Sequence, residues 1–175
     1  MAIAYFLTFT TYGTWLHGND KEQGSVDDAH NRFGDPLLPR NPTREQSERR
    51  IMKESPYLLD EPRRTVVCNA IIELAREKGW WLWAEHVRSN HVHLVISAER
   101  NVDRLLSDLK ARASRNLTRA GFENSERRRW TLHGSTRHLF DEDAIAEKIH
   151  YTLDEQGERM AWYDGRDLAS KEARV

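Results

Sequence analysis

Four runs of the chain place their apolar residues as strands do, and three others repeat them with a helical period. Residues 3–11 (IAYFLTFTT), aromatic and β-branched, read as a strand. WWLWAEHVR and HVHLVIS read as two more, joined by a tight hairpin at Ser89-Asn90, and a short fourth is predicted near STRHLF. Helical spacing follows Asp60, a good N-cap with Pro62 in the first turn, through Val66, Val67, Ala70, Ile71 and Leu74 until Gly79 stops it. Asn101 caps a second helix striped by Val102, Leu105, Leu106 and Leu109, and a final helix is predicted from about Asp141 to Gln156. Residues 13–42, rich in Gly, Asp, Asn and Pro, read as a long loop of the kind that is more often functional or disordered than incidental. Thr43 with Gln46 then makes a capping-box pattern for a short helix.

The order β-α-β-β-α-β plus a helix predicts an α+β fold: a ferredoxin-like split β-α-β antiparallel sheet with helices on one face. A C-terminal tyrosine-bearing helix and a long insertion after the first strand complete it. One domain is expected over residues 1–160, with the insertion at about 13–58 and a frayed tail at 161–175. A length of 175 residues suits a single sizeable core. No apolar run approaches the length of a membrane span, so no membrane partner is expected. The start MAIAYFLTFTT has neither a basic n-region nor a cleavage site, which makes a cytoplasmic localisation the expectation. The single cysteine, Cys68, lies among helix-periodic apolar residues and excludes disulfide and Cys-zinc frameworks.

A net charge of −1 argues against a nucleic-acid partner until its distribution is read. Residues 100–137 carry ten Lys/Arg against four Asp/Glu, a local balance of +6 against −7 for the rest. Arg104, Arg112, Arg115 and Arg119 fall within about an 80° arc beside the leucine stripe of the second helix. Lys110 and the run Arg127-Arg128-Arg129-Trp130 extend this patch. Together they read as a phosphate track, with Trp15 and Trp130 as candidate stacking platforms and Trp80, Trp81 and Trp83 as core. A solvated charged face is the competing reading.

In HVHLVIS, residues two apart share a strand face, so His91 and His93 point one way and Val92, Leu94 and Ile96 the other. With both crossover helices on the apolar side, the imidazoles are expected on an open face. Neutral imidazoles suit Mn, Zn and other divalent metals, and serve Mg with help from oxygen ligands. Two satisfied histidines on a half-exposed strand are the plainer alternative. In the final helix Ile145, Ile149 and Leu153 form the packing stripe, and Tyr151 falls about 160° from its centre. A tyrosine off the packing face beside a His-x-His metal suits a nucleophile on a phosphodiester. Glu155, within about 40° of Tyr151, is a candidate third ligand.

Four segments resemble the HUH single-strand transposases with one catalytic tyrosine, and most of all the REP-associated tyrosine transposases: TFTTYGTWLHG, SNHVHLVIS, LKARASRNL and IHYTLDEQGERMA. The resemblance implies a divalent metal (Mg or Mn) on His91 and His93, with Tyr151 as nucleophile. It also implies cleavage of single-stranded DNA beside a hairpin through a 5′-phosphotyrosine, and strand transfer without ATP. In related enzymes a glutamine four residues after the tyrosine helps hold the metal. Here that position is Glu155 and the glutamine is Gln156, so both remain candidates. The resemblance leaves monomer and homodimer open. A histidine-triad hydrolase would need a third alternating histidine where Val95 stands. The rival kept is an HUH-fold module that binds hairpin DNA or RNA without cutting it.

Overall fold

The computed structural model describes residues 2–14 and 52–166. The strands are β1 (Ala4–Thr10), β2 (Trp81–Val87), β3 (His91–Ser97), β4 (Ser135–Leu139) and β5 (Ala161–Asp164). The helices are α1 (Glu61–Lys78), α2 (Val102–Arg119) and α3 (Glu142–Asp154). All neighbouring strands pair antiparallel in the order β4-β1-β3-β2-β5, the split β-α-β arrangement with one strand added beyond β2. The helix starts follow from side-chain capping: Asp60, Asn101 and Asp141 each accept from the backbone N–H three residues on. Gly79 ends α1 at φ 68°, in the left-handed region where a Cβ is costly. Among the described residues no helix is long and apolar enough to cross a membrane.

The core forms on both sides of the sheet. Leu7, Phe9, Leu94 and Ile96 point to one face and are buried under Val67, Ile71, Leu105 and Leu109 of the two crossover helices. Ala4, Ala84, Val95 and Leu139 point to the other and pack against Ile145, Ile149 and Leu153 of α3. The expectation of an open histidine face is therefore corrected. The apolar stripe of α3 must leave water, and the one sheet surface not taken by the crossovers is the face that bears His91 and His93.

Two further expectations change. The tail predicted as frayed from residue 161 begins as β5, which pairs Trp162 with His86 and Tyr163 with Glu85. Four residues are too few to display a period, and the pairing satisfies the outer edge of β2. The end of the insertion rejoins the core, since Tyr57 and Leu59 are buried and the Tyr57 hydroxyl donates to Glu123. The rest of the insertion, with Trp15 and the short helix after Thr43, lies outside the described residues, as do residues 167–175.

Candidate active site

His91 and His93 share the α3-bearing face, their ring centroids 4.6 Å apart. Each has one ring nitrogen engaged. The Nδ1 of His91 lies 2.7 Å from the Asn90 side-chain oxygen, and that of His93 lies 2.7 Å from Thr8 Oγ1 on the neighbouring strand. The Asn90 oxygen can only accept, so His91 carries its proton on Nδ1 and keeps the Nε2 lone pair for a ligand, whereas the Thr8 hydroxyl can either donate to or accept from His93. Burial, with Arg88 and His86 adding to it, pushes the His91 ring down to about 4. Burial first, then His91, pushes His93 to about 3. Both are thus neutral at physiological pH, the form that binds metals.

Tyr151 reaches this pair from α3. Its half-buried ring stands edge-on to His93 at 5.7 Å and to Phe6 at 5.7 Å, while Phe6 stacks on His93 at 5.6 Å and 17°. Lys148, one turn earlier, places its amine 5.3 Å from the Tyr151 ring and 5.8 Å from Phe6.

The choice between Glu155 and Gln156 turns on where the helix stops. It ends at Asp154, and Glu155 leaves it as the C-cap with φ −102°. The helical phase that favoured Glu155 does not extend to it. Glu155 faces His150, with its carboxylate 3.4 Å from Nε2, on the exposed side. Gln156 instead turns inward, donating to the Tyr151 carbonyl at 3.2 Å and hydrogen-bonding the His93 ring. Among the described residues no group of three His, Cys, Asp or Glu side chains is placed to hold a metal, so the protein donors gathered here are two imidazoles and one amide. Two neutral imidazoles and an amide are donors that suit a divalent ion completing its shell with water and phosphate oxygens.

A third histidine, which sequence reasoning missed, lies beside them. His86 pairs across β2 with His93 and is fully buried. Its Nδ1 lies 3.1 Å from the Thr152 carbonyl and its Nε2 accepts from the Met160 amide at 3.0 Å. With both nitrogens used, His86 is no metal ligand. It fastens the end of α3 and the approach to β5 onto the sheet. Only strand register puts it next to His93, and no spacing in the sequence encodes that register.

The expected phosphate track divides in the structure. Arg104, Arg115 and Arg119 are exposed on α2, away from its buried stripe. Because α2 covers the opposite face, they lie across the sheet from the histidines. Arg128 is exposed with its guanidinium 6.0 Å from the Tyr12 ring. The others have internal partners. Lys110 donates to the carbonyls of Thr131, Leu132 and His133 at 2.9, 3.3 and 2.9 Å, and burial lowers its amine to about 8. Arg112 ties α2 to Glu77 of α1, and Arg127 binds Glu54 and the Ser55 carbonyl. Arg129 is buried, donating to the Phe122 carbonyl at 2.7 Å, and Trp130 packs edge-on to Phe9 with its Nε1 on Ser114. Lys110, Arg112, Arg127, Arg129 and Trp130 thus all have partners within the framework of the fold. A charge count registers residue type but not the acceptors that folding supplies.

No protein-family model matches the chain, and no curated protein matches it by sequence. Among solved structures it is similar to that of a REP-associated tyrosine transposase bound to a REP hairpin, with 12% identity and a TM-score of 0.47. The match takes in 87% of this chain and 66% of the other, so this chain spans just under two thirds of that one.

Proposed function

We propose that the protein is a metal-dependent single-stranded DNA endonuclease and strand transferase of the HUH type, cutting beside hairpin or palindromic DNA through a 5′-phosphotyrosine. The observation behind this reading is the Tyr151 ring set against His93, with His91 beside it, both imidazoles neutral. His91, His93 and the Gln156 amide would hold Mg or Mn, which when bound polarises a phosphodiester as a Lewis acid. Asn90 and Thr8 hold the two rings in orientation. Tyr151 Oη attacks phosphorus, a P–O bond to tyrosine forms and the bond to the 3′-oxygen breaks. The proton lost by the phenol balances the one gained by the 3′-oxygen. One phosphodiester replaces another, so the step is reversible and needs no nucleotide triphosphate. The metal-binding and catalytic roles of these residues are part of the proposal.

The test uses a 3′-labelled hairpin oligonucleotide with Mn²⁺, followed by denaturation. Wild type is expected to retain label covalently, and Tyr151→Phe, which loses one oxygen and little volume, is expected to retain none. An adduct surviving in Tyr151→Phe would move the nucleophile to another tyrosine such as Tyr12 or Tyr163. Wild type that grips the hairpin but never forms an adduct would favour the binding-module reading.

A further inference from the structure

Beyond the cut phosphate, a strand must leave the histidine pair in two directions, and the two flanks differ. On one side Arg88 already donates to the Glu158 carbonyl at 3.0 Å. On the other, Arg137 of edge strand β4 pairs with Phe6, which places it on the face that bears His93, and it is exposed. Lys148 overhangs the same Phe6 ring from α3. The partner of its amine is Glu147 at 2.7 Å, a carboxylate 64% exposed against 13% for the Lys148 side chain. With its carboxylate end in solvent the pair is worth little, and a phosphate that reaches the Lys148 amine can take the place of Glu147. The Glu147 carboxyl is held low by Lys148 first and by Arg137 as well, so both cations act at one spot. Strand spacing and rise put Arg137 roughly 12 Å from His93 along the sheet, a span of a few nucleotides.

We propose that the strip between α3 and the β4 edge, floored by Phe6, is the path of single-stranded DNA on one side of the cleaved phosphodiester, with Lys148 and Arg137 contacting its phosphates. This rests on the single-strand reading above, but not on tyrosine chemistry. The ligand class follows from two cations spaced along a face that starts at a phosphodiester site, beside an aromatic ring.

The experiment uses the full chain carrying Tyr151→Phe, so that nothing is cut, and fluorescein-labelled oligothymidylate followed by anisotropy across a salt series with Mn²⁺. Adding Lys148→Ala and Arg137→Ala together should flatten the slope of log K against log salt by about 1.4, at about 0.7 per single-strand phosphate. Lys148→Arg with Arg137→Lys, which keeps the charge, should restore it and guards against a folding defect. Arg104→Ala with Arg115→Ala, on the far helix layer, should leave this slope alone. An unchanged slope in the double alanine variant, or no binding of oligothymidylate at all, overturns the path. A flattened slope with no covalent adduct from wild type would leave the path standing and remove the tyrosine mechanism.

Discussion

His91 and His93 are buried as neutral rings, and that has a consequence for stability. An imidazole whose folded value is depressed is protonated more readily in the unfolded chain. The stability it contributes is therefore complete above the unfolded value near 6.5, and it is lost as pH falls toward about 4 for His91 and about 3 for His93. In metal-free protein the pair should lower stability by about 2 kcal/mol between pH 7 and pH 5, after allowance for partial exposure of His91. Urea unfolding at the two pH values reads this directly. The double variant His91→Gln, His93→Gln should lose most of the difference, and an equal fall in that variant would place the pH dependence on other groups. Burial of His86 lowers its ring too, and that part should persist in the double variant.

α3 is the element on which the site depends, because it bears Tyr151 and Lys148 and ends where Gln156 turns inward. Its stripe packs on Val95 and Leu139, but its C-terminal end is held by His86 through the Thr152 carbonyl, with Arg159 bonding the Leu153 carbonyl at 3.1 Å. His86→Phe keeps a ring in the space and leaves the Thr152 carbonyl and Met160 amide without that partner. Such buried groups cost about 1–3 kcal/mol when unpaired. The variant should show faster hydrogen exchange over residues 150–160 and slower adduct formation, while Mn²⁺ affinity of the His91–His93 pair changes little. Metal affinity falling as far as the adduct rate would mean that His86 acts on the imidazoles themselves rather than on the helix.

The whole molecule has two separated surfaces, a histidine face and an outer helix layer. Arg104, Arg115 and Arg119 belong to the second, and a hairpin stem lying there can reach the histidines only by passing a strand round an edge of the sheet. Arg104→Ala and Arg115→Ala should each reduce the salt slope for a hairpin by about 0.9, the value for a duplex phosphate contact. Arg112→Ala should leave that slope unchanged and lower stability by less than about 1 kcal/mol, since its partner Glu77 is half exposed. Filter binding of one hairpin at several salt concentrations separates the two outcomes. A slope that drops with Arg112→Ala as it does with Arg115→Ala would return Arg112 to the DNA surface.

Much of this was legible in the chain. Strand alternation alone put His91 and His93 on one side, and helical phase alone kept Tyr151 off the stripe of Ile145, Ile149 and Leu153, because both depend on local backbone geometry. The caps at Asp60, Asn101 and Asp141 are local for the same reason, and the helices start where they imply. The rest is set by pairings between residues far apart. Which residue stands beside His93 is a matter of register, and it brought in His86 and Thr8. Whether a cation is available depends on the acceptors around it, and folding engaged Lys110, Arg112, Arg127 and Arg129 while leaving Arg104, Arg115 and Arg137 exposed. Where α3 stops turned Glu155 toward His150 on the exposed side and Gln156 toward the Tyr151 carbonyl. Sequence by itself determined the first four strands, the three helices and which side chains share a face, since period and capping are short-range; only the tertiary structure decided β5 and the neighbours of each side chain, since those are chosen by strand pairing and by the packing of α3 onto the one sheet face left uncovered.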